Sequence, residues 1–188
     1  MAAPSLTTAT VPSAPRTRPL QAKHVLFVVF GLLTLLVLYT RDLALLDPAS
    51  PLRQRFAPIP WLMLTHGVFG ALALTLGIFQ FSSRLRSRYL AVHRWMGRIY
   101  VFACIIGGAA GFLLALGTDA GSIAQWGFGL LAVIWVSCAI QAWRLALARR
   151  FVEHREWMVR SFALTFAAVT LRLYLPIAGI AHLDFMES

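Results

Sequence analysis

Acidic side chains are scarce in this chain, with seven Asp and Glu among 188 residues. None of them falls inside the long apolar runs set out below. Those runs therefore hold no paired carboxylates for general acid–base chemistry. They also lack the acidic relay common in proton-coupled transport. Charge of either sign is thin at 13%, where a soluble domain carries roughly a quarter. Cysteine is limited to Cys104 and Cys138, each in the middle of an apolar run. They read as small core residues rather than the start of a disulfide framework or a zinc site. No glycine-rich phosphate loop, G-x-S-x-G elbow or H-E-x-x-H helix is present.

Apolar residues make up 59% of the chain and the mean hydropathy is +0.73. The solvent for most of this sequence is lipid. Apolar runs cover roughly 24–41, 59–81, 93–116, 123–147 and 157–181. Each is about as long as a helix needs to cross a hydrocarbon core of ~30 Å at ~1.5 Å per residue. The runs are continuous rather than alternating, so helices and not barrel strands are expected. Pro58 and Pro60 suit the first turn of the second helix, and Pro176 is expected to kink the fifth. Residues 1–22, rich in Ala, Pro, Ser and Thr, cannot bury enough apolar surface to order themselves and read as a disordered tail. The first run ends at Thr40-Arg41-Asp42 without a small-residue cleavage site, so it is expected to be a retained helix rather than a signal peptide.

The formal net charge of +10 raises nucleic-acid binding, but no basic stripe, zinc-finger spacing or other nucleic-acid motif supports it. The charges cluster instead between the apolar runs. Arg84, Arg86 and Arg88 fill one connection, with Arg94 and Arg98 just beyond. Arg144, Arg149, Arg150 and Arg155 fill another, and the tail holds Arg16, Arg18 and Lys23. The other side has Arg41, Arg53 and Arg55 with most of the acids. Positive charge stays in the cytoplasm. This places the amino terminus inside and the carboxyl terminus outside the membrane.

Helices two and three, with their loop, resemble helices four and five. Gln80 precedes His93, and Gln141 precedes His154, by the same spacing. Then His93-Arg94-Trp95-Met96-Gly97-Arg98 is matched by His154-Arg155-Glu156-Trp157-Met158-Val159-Arg160, with one extra residue. Both copies cross the membrane in the same sense. The fold expected is an all-α polytopic bundle: a four-helix core of two parallel repeats plus one amino-terminal helix.

Trp61 to Pro176 resembles the bacterial membrane proteins of domain-of-unknown-function family 2306. The likeness is carried by His66-Gly67, Gly77-Ile78-Phe79-Gln80-Phe81, the two histidine phrases with Ile99-Tyr100 and Ser161, Gly127-Phe128-Gly129 and Leu171-Arg172. The resemblance implies membrane location and helix number, and no activity. A weaker, architectural likeness is to the diheme b-type membrane cytochromes, which also set histidines near the helix ends of a four-helix bundle.

Few ionisable side chains enter the runs, and those that do are functional candidates. His93 and His154 are expected on facing helices at the inner boundary, followed by Arg98 and Arg160. The His93 face carries Gly97, Tyr100, Cys104, Gly108 and Gly111; the His66 face carries Gly70, Ala73, Gly77 and Gln80. A b haem needs two neutral imidazoles, room for a flat macrocycle and cations for its propionates. His93 and His154 would supply the first, the glycine stripes the second, and Arg98 and Arg160 the third. The carrier would exchange electrons with quinone or a redox partner protein. Small residues equally let cofactor-free helices pack closely, and a His-Arg-Trp-Met phrase equally anchors a helix at the headgroups. A cofactor-free small-solute permease or an accessory subunit is therefore the alternative. His66 and Arg172 come to similar depth near the outer side, as a buried polar pair or a ligand contact. A second haem at His66 lacks a partner, because its repeat equivalent is Gly127; His182 could serve only if the fifth helix bends back. A stand-alone enzyme is not expected, and self-association into a homo-oligomer is left open.

Overall fold

Each apolar run contains a helix in the computed structural model, which describes residues 22–37, 39–40, 46–47, 49–51, 54 and 58–180. The tail up to residue 21, the loop arginines Arg41, Arg53 and Arg55, and His182 lie outside the described residues. Among the described residues the main helices are α1 (Ala22–Val37), α2 (Pro60–Gln80), α3 (Ser83–Arg88), α4 (Leu90–Leu116), α5 (Ser122–Leu147) and α6 (Phe151–Ile180), and there is no strand.

The helix ends follow local chemistry. α2 starts on Pro60, whose missing N–H is harmless in a first turn. Within the connection that follows, Ser82 accepts a hydrogen bond from Leu85 N at 3.3 Å and starts α3, a short helix that hydropathy does not mark. α4 and α6 begin before their apolar runs do, at Leu90 and Phe151. They measure roughly 40 and 45 Å at ~1.5 Å per residue, longer than the ~30 Å hydrocarbon core. Their first turns can therefore carry Arg94, Glu153 and Arg155 beyond it. The α4–α5 turn needs Gly121, at φ +89°, to enter α5. Gln125 Nε2 then ties α5 back to Leu116 O at 3.0 Å.

α2, α4, α5 and α6 pack in chain order as successive antiparallel neighbours, and α6 touches α2 to close the bundle. α4 and α6 meet across the interior through side chains rather than as backbone neighbours. α1 lies outside this core against α2 and α6. Its Phe30 ring is 4.4 Å from Phe166 and 6.1 Å from Phe162, centroid to centroid. The core is built from Ala73, Leu74 and Ile78 of α2, Tyr100 and Cys104 of α4, Trp135 and Ala139 of α5, and Phe162 and Val169 of α6.

The outer surface is apolar. Val68, Phe102 and Leu130 are each more than half exposed well inside their helices. An exposed apolar belt of this extent is a lipid-facing surface. Among the described residues α2, α4 and α5 are each long and apolar enough to cross a membrane. Exposed tryptophans mark both ends, with Trp61 and Trp126 at one and Trp95 and Trp143 at the other, as interfacial tryptophans do. The second set shares its end with α3 and the Arg149 turn, hereafter the basic end.

The internal repeat has a structural counterpart. Arg98 lies over the Trp95 ring at 4.9 Å, and Arg160 lies over the Trp157 ring at 4.7 Å. His93 and His154 are each the fourth residue of their helices. Their amides donate to Tyr89 O at 3.0 Å and Arg150 O at 2.9 Å.

Candidate functional site

The polar side chains of the bundle fall into three levels. At the basic end stand His93 on α4 and His154 on α6, each in the first turns of its helix. His154 Nδ1 lies 2.8 Å from Ala142 O. A carbonyl only accepts, so Nδ1 carries the proton and donates, and in the neutral ring Nε2 keeps its lone pair. A ring fixed in this way has the tautomer that metal-bound histidines usually show. His93 Nδ1 is buried and has no hydrogen-bond partner among the described residues. The charges of Arg86 and Arg94 also reach His93, while Gln80 Nε2 donates to its backbone oxygen at 3.4 Å. Arg98 and Arg160, the cations expected from the sequence, are stacked on their tryptophans, and Arg160 lies 3.9 Å from Glu156.

At the opposite end, His66 Nδ1 donates to Gly107 O across the α2–α4 contact at 2.8 Å. A Cβ on Gly111 would sit 2.9 Å from the His66 ring, so that glycine is what admits the imidazole. Arg172 is close enough for its charge to act on His66. His66 and Arg172 thus share a level, as their positions in the sequence imply. From His93 to Gly107 is roughly 20 Å along α4 at ~1.5 Å per residue, so the two histidine levels are far apart. Among the described residues no three His, Cys, Asp or Glu side chains gather as an ion site.

Between these levels lies a polar cluster of Tyr100, Trp135, Ser161 and Thr165. Tyr100 Oη is 2.9 Å from Ser161 Oγ and 3.0 Å from Thr165 Oγ1. Trp135 Nε1 donates to Thr165 Oγ1 at 2.8 Å, and Thr165 donates to Ser161 O at 2.9 Å. The proton directions follow. Thr165 has spent its proton on a carbonyl and accepts from Trp135, so its remaining lone pair accepts from Tyr100 O–H. Ser161 O–H then donates to Tyr100 Oη. The Cys104 thiol sits against the same three hydroxyls. Every N–H and O–H of the four residues is used, as burial in a low-dielectric interior demands. The cluster joins α4, α5 and α6 at mid-bundle and leaves no spare donor among those groups for a passing solute.

Most of the stripe glycines are likewise covered from within the protein, although a Cβ on Gly70 would meet nothing within 4 Å. A Cβ on Gly77 would collide with Phe162, and one on Gly108 with Val136. A Cβ on Gly107 would come 3.2 Å from Phe69 Cβ, and one on Gly97 3.5 Å from Gln80. These glycines bring helices together, and they hold no slot for a planar ring along the middle of α4. Any cofactor at His93 and His154 is confined to the basic mouth of the bundle.

The fold and its lipid-facing surface define a multi-pass, all-α membrane protein whose apolar core encloses a small polar cluster. The chain belongs to the family described as predicted membrane protein (DUF2306), whose model matches residues 63–188. That match takes in all three polar levels and leaves out α1. No curated protein and no solved structure matches the chain.

Proposed function

We propose that this protein carries electrons in the bacterial cytoplasmic membrane with one b-type haem held at His93 and His154. Its basic end and amino terminus face the cytoplasm. The observation that carries this reading is the histidine pair at the basic end. Two imidazoles stand at the same position in repeat-related helices, at the same end of the bundle. One ring is fixed with Nε2 as its lone-pair nitrogen, and the other has a buried nitrogen without a described partner. His93 and His154 would hold a b haem through their imidazole nitrogens, and the haem would supply reversible one-electron chemistry. Arg86 and Arg94 would neutralise the propionates, with Arg98 and Arg160 adding positive field at the same end. The exchange partner would be quinone or a redox partner protein. His66 and Arg172 stand apart from this site as a buried polar pair. The test is a pyridine haemochrome assay on purified protein from haem-replete cells. About one haem per chain is expected, lost in His93→Ala and in His154→Ala and retained in His66→Ala. A wild type without haem would sink the reading.

A second reading has its own support. The hydroxyl cluster and the occupied glycine stripes are what a cofactor-free accessory subunit needs for rigid packing. They disfavour a solute path along the bundle axis, which would have to break that cluster.

A further inference from the structure

The short helix α3 carries three arginines in six residues, Arg84, Arg86 and Arg88, all exposed. Arg84 and Arg88 stand at i and i+4, where like charges repel. Among the described residues no acid pairs with any of the three. The matching turn of the second repeat is built differently, because Arg150 there is held by both carboxylate oxygens of Glu153. The three arginines, with Ser83 and Ser87, line a groove of about 480 Å³. A cationic groove whose charges repel is stabilised by an anion that several guanidinium groups can share, and phosphate oxygens fit guanidinium donors best. The groove's place identifies the source of the phosphate. α3 joins two membrane-crossing helices, and exposed Tyr89, Leu90, Val92 and Trp95 follow it directly. Such a run of aromatic and apolar surface lies at headgroup depth.

We propose that the α3 groove binds the phosphate headgroup of an anionic phospholipid, whose acyl chains lie on the apolar surface beside it. The site shares Arg86 with the proposed haem site, but it does not require haem, and its readout is headgroup preference rather than haem content. The test is native mass spectrometry of the full-length protein in detergent, titrated with phosphatidylglycerol or phosphatidylcholine. Wild type is expected to bind phosphatidylglycerol about tenfold more tightly, the order expected when several arginines at a membrane surface meet an anionic headgroup. Replacing Arg84, Arg86 and Arg88 together by Gln should abolish the preference, and replacing them by Lys should largely keep it. Replacing Arg144, Arg149 and Arg155 by Gln removes the same charge from the other connection and should leave the preference intact. Equal loss in both Gln triples would mean diffuse attraction and would overturn the site. So would a wild type indifferent to headgroup, or a preference that survives in the α3 Gln triple. Displacement of the lipid by millimolar inorganic phosphate would overturn the lipid assignment in favour of a free anion.

Discussion

Tyr100→Phe is the sharpest probe of the buried cluster, because it removes one oxygen and keeps the ring. Tyr100 is fully buried and its hydroxyl makes two hydrogen bonds, at 2.9 and 3.0 Å. Hydrogen bonds between helices in a membrane average ~0.6 kcal/mol and reach ~1.7. The change also leaves the Ser161 proton without its acceptor in a closed interior, a penalty of about 1–3 kcal/mol in folded proteins. A total loss of about 1–3 kcal/mol is therefore expected, measured as equilibrium unfolding of the detergent-solubilised protein. Thr165→Val should cost at least as much, since Thr165 Oγ1 takes part in three bonds. A double-mutant cycle of Tyr100→Phe with Ser161→Ala should show coupling beyond the ~0.5 kcal/mol within which independent sites add. If Tyr100→Phe leaves stability unchanged and adds simply to Ser161→Ala, the Tyr100–Ser161 hydrogen bond contributes nothing to the fold and the reasoning is wrong.

Gly111→Ala should destabilise by about 1–3 kcal/mol through overpacking, because the new methyl meets the His66 ring at 2.9 Å. Adding His66→Ala should relieve part of that loss, and strict additivity in a thermal melt would argue that the two residues do not touch. Gly108→Ala, opposite Val136, should lose a similar amount, and a neutral result would show that α4 and α5 can separate at little cost. For orientation, a single cysteine at Ser87 should react with an impermeant maleimide only from the cytoplasmic side and one at Thr118 only from the outside. The reverse pattern would invert the topology.

The bundle was legible because transmembrane helices announce themselves as continuous apolar runs. The runs mark where lipid is and not where a helix stops. That is why α4 and α6 begin earlier than their apolar segments, in turns where Arg and Glu keep helical geometry outside the hydrocarbon. α3 left no hydropathy signal, and the clue to it was Ser82 three residues before Leu85, a capping arrangement. A similar depth for His66 and Arg172 could be reasoned from the sequence alone, as could matching helix positions for His93 and His154. The hydroxyl cluster could not. Ser161 and Thr165 look like small packing residues in a string of letters, and only their meeting with Tyr100 and Trp135 across the bundle makes them a network. The one hint was that Tyr100 and Ser161 are separated by the same offset as His93 and His154. Glycine stripes mark where side chains are missing and say nothing of what fills the gap. Here Phe162, Val136, His66 and Gln80 fill it.

The most direct test of the proposed role is the visible spectrum of the purified full-length protein, oxidised and then dithionite-reduced. Bis-imidazole ligation by His93 and His154 predicts a low-spin spectrum with a sharp reduced α band of the b type. In each single His→Ala variant that band should disappear. A protein from haem-replete cells that shows no Soret band in either state would contradict the account. The histidine phrases would then be headgroup anchors on a cofactor-free bundle.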